Sequence, residues 1–248
     1  MTSIAIAFVI LVCGLILILP RRWAALPFLM AACYMTLGQV EKIGLFHFNV
    51  IRMIVPFGLL RVLFRRERIV GGTNGIDRLI IAWAIWALVA SFFHEDPGAT
   101  VINRLGRVYD TLGIYFLLRI FCQNEEDARG LIKITAILLS PVALEMLNEH
   151  LTRYNMFSVF GGVSQTPAIR EGHLRAQGPF LHSILAGTVG AVTFPLMVGI
   201  WRTNPLTARM GALACVVMVF TSFSSGPWIS FIWSIVALFL WRWRHLTK

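Results

Sequence analysis

The residues best suited to chemistry form a short cationic group that leads into an apolar segment. Arg170, Glu171, His173 and Arg175 lie within six residues, and His182 follows where the apolar segment begins. Guanidinium groups bind phosphate through two parallel hydrogen bonds, and a helix N-terminus offers further N–H donors to an anion. The group is therefore either a phosphate or pyrophosphate site, or a solvated charged loop that only caps the following helix.

Two glutamates four residues apart, Glu145 and Glu149, could supply a general base. In a helix both side chains lie on one face, and a carboxylate that is partly removed from water can accept a proton. Pairing with Arg153, or with an arginine on another helix, is the common way to hold such a charge in an apolar segment. We expect this structural pairing, and Glu145, Glu149 and His182 stay unranked as catalytic candidates.

Three further charges, Arg104, Arg107 and Asp110, follow one another at intervals of three residues. This spacing places them on one face of a helix, where charges mark either a function or an ion pair. The arginines contribute to phosphate binding, or they extend to the lipid headgroups while Arg107 neutralises Asp110. In both cases we predict a pair between Arg107 and Asp110.

The elements that must position these residues are apolar helices. Of 248 residues, 57% are hydrophobic and 14% are charged, whereas soluble domains carry about a quarter charged residues. This composition indicates an all-α, polytopic transmembrane helix bundle, with residues 1–248 as a single integral membrane domain. Because a helix needs roughly 17–25 residues to cross a bilayer, we predict nine crossings. They lie near residues 2–19, 23–39, 48–64, 77–93, 104–121, 129–148, 180–201, 208–223 and 226–242.

The distribution of cations predicts the orientation of this bundle. With the N-terminus outside, fifteen of the 22 lysines and arginines fall on the inner side and seven on the outer side, as the positive-inside rule requires. The loop over residues 149–179 is then external, and its glycines and Pro167 indicate turns rather than a helix. Lys248 is expected on the cytoplasmic side. The arginines follow the first apolar run, so we interpret this run as a retained helix and not as a signal peptide.

Other classes fit the sequence less well. The net charge of +10 is typical of cytoplasmic loops in membrane proteins, and no basic run is interleaved with aromatic residues, so nucleic-acid binding is not expected. The four cysteines are isolated in apolar runs, which indicates neither a disulfide nor a metal site. The seventh apolar segment carries small residues four apart, which predict close helix packing. These residues are Ala186 with Gly190, and Gly187 with Ala191.

Three stretches of the chain resemble a known family. They read NEHLTRYNMFSVFGGV (148–163), IREGHLRAQGPFLHSILAGTVGA (169–191) and FTSFSSGPWIS (220–230). They are similar to the O-antigen ligase/polymerase family of bacterial surface-polysaccharide membrane proteins. The most specific part is RAQGPFLH, and the upstream RVYDTLGIYFLLR is similar in a less specific way.

The resemblance implies a multi-pass protein of the bacterial inner membrane. Such a protein takes a glycan from a polyprenyl-diphosphate carrier on the periplasmic face and joins it to an acceptor glycan or lipid, without a metal or a cofactor. External arginines hold the donor diphosphate, and Arg175 stands at the position of the family arginine. We therefore expect Arg175 and Arg170 to bind the diphosphate, with Arg104 and Arg107 as candidates for the same role. The implied partners are a lipid-linked oligosaccharide, its acceptor and other polysaccharide-assembly proteins.

The chain also departs from the family pattern. Ser183 stands where relatives usually have proline, and SSGP (224–227) stands where many have Ser-Arg-Gly. Family members generally continue through a further outer loop with a functional histidine, so we expect a chain that lacks the C-terminal part. Two other functions stay open: a transporter or flippase for a lipid-linked sugar, and a non-catalytic subunit for polysaccharide export. Transporters often carry internal repeats, and none is evident in this sequence.

Overall fold

The structure is a computed structural model that describes residues 1–36, 38–43 and 46–247, and this part of the chain is mostly helical. It contains nine α-helices and two antiparallel hairpins of two strands each. The helices are α1 Ser3–Ile18, α2 Leu26–Tyr34, α3 Val50–Arg65, α4 Gly75–Ser91, α5 Pro97–Phe121, α6 Glu125–Thr152, α7 Ser183–Gly199, α8 Pro205–Thr221 and α9 Ser225–Leu240. The strands are β1 Val40–Ile43, β2 Phe46–Asn49, β3 Ala168–Arg170 and β4 His173–Arg175.

The helical class and the number of helices are confirmed for the described residues, and most helices lie close to the predicted segments. The exceptions are α2, which has nine residues instead of the segment predicted over 23–39, and α5, which begins at Pro97 instead of near residue 104. The last part of the segment predicted over 23–39 is not helical, and the β1–β2 hairpin follows from Val40. α6 reaches Thr152, so the loop predicted from residue 149 begins at Arg153. Lys248 lies outside the described residues.

The lengths of the helices bear on the predicted crossings. Among the described residues, α6 is the helix whose length and hydropathy together suffice for a membrane crossing. Four other apolar helices, α1, α7, α8 and α9, have 16 or 17 residues each, at the short end of the roughly 17–25 residues that a crossing needs. Multi-pass insertion therefore stays a prediction.

Contacts within the chain group it into two compact units. The first consists of Met1–Ala31 and Gln39–Ala128, and the second of Ala32–Gly38 and Arg129–Lys248. One boundary falls within α2 and another within the first turn of α6.

In the first unit, arginine side chains donate hydrogen bonds to carbonyl groups at the C-terminal ends of helices. The buried Arg61 of α3 donates through Nη1 to the carbonyl oxygens of Ile16 and Leu19, at 2.6 Å each. Its Nε and Nη2 bind the carboxylate of Glu67 at 3.1 and 2.8 Å. The last four carbonyl groups of a helix have no partner within it, and a cation there complements the helix dipole. Arg61 is thus part of the packing of α1 on α3.

The second unit is organised around α7, which packs against both α8 and α9. A Cβ atom at Gly190 would lie 2.7 Å from the carbonyl oxygen of Cys215 on α8, and one at Gly187 would lie 2.8 Å from Pro227 on α9. The close packing predicted from small residues in this segment is confirmed. It brings the turn between α8 and α9 against the first part of α7.

This packing predicts the outcome of adding one methyl group. Gly190→Ala should lower the free energy of unfolding by about 1–3 kcal/mol, because the new Cβ meets backbone that cannot rotate away. Gly130→Ala on α6 is the matched control, since nothing lies within 4 Å of its added Cβ; it should be neutral or stabilise the helix by about 0.5–1 kcal/mol. Thermal unfolding of both variants in one detergent measures the difference. Equal midpoints would contradict the close packing of α7 on α8.

Candidate functional site

A hairpin in the second unit presents the cationic group. β3 and β4 pair so that Arg170 lies opposite His173, and Arg175 follows His173 by two residues. The turn residues Glu171 and Gly172 have φ values of +54° and +78°, and a type I′ turn requires positive φ at both of these positions. Opposite residues share a face and side chains alternate along a strand. The side chains of Arg170, His173 and Arg175 therefore lie on the same face of the hairpin.

This face lines an open cavity of about 310 Å³, a volume at the lower end of the roughly 300–1,000 Å³ of ligand sites. The other wall is formed by Ile184 of α7 and by the α8–α9 turn, residues 223–226. α9 begins at Ser225, and none of the described side chains caps it with a hydrogen bond. The first N–H groups of a helix lack partners within the helix. The start of α9 therefore adds hydrogen-bond donors to the wall of the cavity that faces the hairpin.

Arg175 is held from one side only. Its Nη2 donates to Oγ of Ser224 at 2.5 Å, and the backbone N–H of the next residue, Ala176, donates to the carbonyl oxygen of Thr221 at 3.0 Å. Its Nε atom is buried and has no hydrogen-bond partner among the described residues. Buried donors without a partner are uncommon in proteins. The guanidinium is therefore held by Ser224, while Arg175 lines the cavity.

Buried carboxylates hold the loop that carries the hairpin. Glu149 accepts, at one oxygen, the backbone N–H groups of Gln177 and Gly178 at 3.0 and 2.8 Å. Glu145 accepts the backbone N–H of Met156 at 2.8 Å. The expected pairing of these glutamates with an arginine is wrong, since neither forms an ion pair within the described residues. The loop folds back over the end of α6, so its backbone donors bind one oxygen of each carboxylate, while the other oxygen of each is buried without a hydrogen-bond partner among the described residues.

Together with Glu145 and Glu149, Asn155 forms the anchor of this loop. No pattern in the sequence pointed to Asn155. Its buried side-chain amide donates to the carbonyl oxygen of Gly178 at 2.9 Å, while its own N–H donates to the carbonyl oxygen of Gln165 at 2.9 Å. Gly178 has φ of +56°, and a Cβ atom there would lie 3.1 Å from Met146. The peptide groups around Gly178 are thus held on both sides. An asparagine just after a helix is a weak signal in a sequence, because it often only ends the helix.

The three catalytic candidates do not line the cavity. Glu145 and Glu149 bind loop backbone, and His182 is exposed at the N-terminal end of α7, where its side chain makes no capping hydrogen bond. The histidine at the cavity is His173, which the sequence analysis placed in the cationic group without a catalytic role. The structure thus brings together Arg170, His173 and Arg175 from the opening group and leaves the other candidates outside.

An aromatic stack adjoins the cavity. The ring of Phe223 is stacked on His173, with 4.9 Å between ring centroids and 9° between ring planes. The ring of Phe223 is also stacked on His150 of α6, at 5.6 Å and 6°. The backbone of Phe223 has φ of +43°, a conformation that bulky residues rarely adopt. The α8–α9 turn therefore carries local strain at the residue whose ring stacks on both imidazoles.

In the first unit, the predicted pair between Arg107 and Asp110 is wrong. Asp110 is bound by Arg52 of α3, whose Nε lies 3.1 and 3.0 Å from the two carboxylate oxygens. Gly106 makes this approach possible, because a Cβ atom there would lie 2.6 Å from Nη2 of Arg52. Arg107 is exposed and Arg104 is half-buried, and neither forms an ion pair within the described residues. The three-residue spacing is compatible with an ion pair between Arg107 and Asp110. In the folded chain, however, Asp110 lies against Arg52 of α3.

Comparison with known proteins gives no relative. The chain matches no protein-family model, no curated protein and no solved structure. The site is therefore interpreted from its own geometry and from the resemblance of its three stretches.

The anchor predicts different outcomes for two changes at Glu149. Glu149→Gln keeps a carbonyl oxygen that can accept both N–H groups and should leave the loop in place. Glu149→Ala leaves two buried donors unpaired, which should cost about 2–6 kcal/mol, since each such donor costs about 1–3 kcal/mol. Limited proteolysis of residues 153–182 and thermal unfolding measure both effects, with the exposed Glu126→Ala as control. If Glu149→Gln opened the loop as Glu149→Ala does, the acceptor role would be wrong.

Proposed function

We propose that this protein transfers glycans at the bacterial inner membrane, in the manner of the O-antigen ligase/polymerase family. Its donor is a saccharide linked to polyprenyl diphosphate, and its acceptor is another glycan or a lipid. The observation that carries the proposal is the cavity lined by Arg170, Arg175 and the start of α9. Here the guanidinium of Arg175, held by Ser224, has a buried Nε without a partner among the described residues.

The donors at this cavity suit the leaving group of such a transfer. When the bond between the anomeric carbon and the diphosphate oxygen breaks, negative charge develops on the diphosphate. Preorganised donors aimed at developing charge lower the barrier without reorganising during the reaction. Arg175, fixed by Ser224, is such a donor, and Arg170 on the same hairpin face adds a second cation. The first N–H groups of α9 suit a phosphate oxygen.

The arrangement of the three resembling stretches also supports the proposal. The stretch 148–163 supplies Glu149 and Asn155, which anchor the loop. The stretch 169–191 supplies the hairpin and α7, and the stretch 220–230 supplies the α8–α9 turn. Segments that are separated in sequence thus build one cavity and its support. This is the distribution expected when a resemblance reflects a shared site rather than shared hydrophobicity.

Exposed apolar side chains support a multi-pass insertion. Trp86 on α4 is 70% exposed, and on α9 Trp233 is 66% and Phe239 75% exposed. Soluble proteins rarely expose large contiguous apolar patches, whereas lipid covers such surfaces at no cost. We propose that most of the helices contact lipid, with the N-terminus and the loop after α6 on the periplasmic side.

This topology predicts the result of reporter fusions at two positions. A fusion after Arg66, just beyond α3, should report the cytoplasm, and a fusion after Gly162, in the loop after α6, should report the periplasm. The reason is the predicted excess of lysines and arginines on the cytoplasmic side. Paired reporters that are active on opposite sides of the membrane make the measurement. The opposite pattern at both positions would refute the orientation.

The proposed diphosphate contact predicts the behaviour of Arg175 variants. Arg175→Ala should weaken binding of polyprenyl diphosphate about ten- to a hundredfold, since a charge-assisted hydrogen bond is worth about 1.5–3 kcal/mol. Arg175→Lys should bind in between, because an ammonium cannot copy the two parallel donors of a guanidinium. Titration of polyprenyl diphosphate, with and without an attached oligosaccharide, in one detergent measures the affinities.

The matched control is Arg153→Ala, an exposed arginine in the same loop that does not line the cavity. It should bind the donor as the wild type does. Equal affinities for wild type, Arg175→Lys and Arg175→Ala, with folding intact, would remove Arg175 from the site. A transfer assay with the same donor separates an enzyme from a transporter or a non-catalytic subunit, because the latter two bind the donor without forming a new glycosidic bond.

A further inference from the structure

We propose that His173 is the catalytic base of this cavity, the group that takes the proton from the acceptor hydroxyl. The proposal rests on the glycan transfer proposed above. It replaces Glu145, Glu149 and His182 in that role, none of which lines the cavity.

The composition of the cavity wall leaves few groups that can accept a proton. The wall contains two arginines, which cannot, and the small or apolar residues of α7 and the α8–α9 turn. The remaining acceptors are His173 and Glu171. Glu171 lies at the tip of the hairpin, where its side chain is 82% exposed and 3.6 Å from Nε of Arg170. His173 lies across the strands from Arg170, on the same face as the two cations that suit the leaving group.

The stack on Phe223 orients the imidazole of His173. The two rings are nearly parallel, at 9°, so one imidazole face is covered while its nitrogens lie at the ring edge. Nearby charged and titratable groups are Arg170, Glu171 and Arg175 on the hairpin and His150 on α6.

The strain at Phe223 fits the same role. A left-handed backbone conformation is costly for a residue with a side chain, and strain of this kind tends to occur at functional sites. Here the strained residue stacks its ring on both His150 and His173. Phe223 is thus a positioning residue, and it acts on the reaction only through His173.

The step balances as a displacement at the anomeric carbon. The acceptor hydroxyl oxygen forms a bond to that carbon, and its proton passes to a ring nitrogen of His173. The bond between the carbon and the diphosphate oxygen breaks, and its electron pair stays on the diphosphate, near Arg175 and Arg170. The imidazolium then releases its proton to water at the open side of the cavity, which returns the histidine to its starting state.

The test compares binding and transfer in the same variants of the full chain. His173→Phe keeps a ring to stack on Phe223 but cannot accept a proton, and His173→Ala opens space for a small base. Both should bind polyprenyl-diphosphate oligosaccharide within about twofold of the wild type and lose about 10²–10⁴-fold in turnover, the usual contribution of a general base. Added imidazole should restore part of the turnover of His173→Ala and none of that of His173→Phe. The exposed His94→Gln in the first unit is the control and should behave as the wild type.

The outcomes separate the two proposals. A wild type that binds the donor but forms no glycosidic bond refutes the transfer, and the catalytic role of His173 with it. An active wild type together with an equally active His173→Phe refutes the role of His173 alone. Loss of donor binding in His173→Phe, or a His173→Ala that imidazole does not restore, also overturns the proton transfer, because His173 would then act in binding or structure.

Discussion

The site depends on one interaction, the acceptance of two backbone N–H groups by the buried carboxylate of Glu149. These groups belong to Gln177 and Gly178, directly after the strand that carries Arg175. A hydrogen bond to a charged acceptor contributes about 1.5–3 kcal/mol, and burial of the carboxylate is tolerable only because donors reach it. The loop and the carboxylate therefore stabilise each other. The anchor acts together with the hydrogen bond from the N–H of Ala176 to the carbonyl oxygen of Thr221, which holds the end of β4 against α8.

The cavity shows how backbone geometry selects side chains for function. A two-residue turn with positive φ at Glu171 and Gly172 sets the register of the hairpin. That register puts the charged residues of both strands on one face and the apolar residues between them on the other. The opposing wall has its own constraint, the left-handed backbone of Phe223. Strong local conformational requirements thus determine which groups meet, and a one-residue slip of the hairpin would reverse its two faces.

Charged side chains in the apolar helices of the first unit are also bound by partners. Arg61 binds Glu67 and helix-terminal carbonyl groups, and Arg52 binds Asp110. Asp77 accepts a hydrogen bond from Tyr115 at 2.7 Å. In an apolar environment an ionised side chain is costly unless it is paired. A buried polar atom that lacks a partner is therefore informative, and in the second unit such atoms are Nε of Arg175, Nδ1 of His150 and one oxygen each of Glu145 and Glu149 among the described residues.

The sequence alone determined where the helices lie, because runs of apolar residues have few other stable conformations. It also identified the cationic group at 170–175 and the small residues of α7, since both are local patterns. Tertiary structure decided every partner of a buried charge. Arg52 reaches Asp110 over 58 positions and the N–H of Gln177 reaches Glu149 over 28, distances at which spacing carries no information. It also decided that α2 ends at Tyr34 and that His173, not His182, lines the cavity, because only the folded chain fixes which faces of a hairpin and a helix lie towards each other.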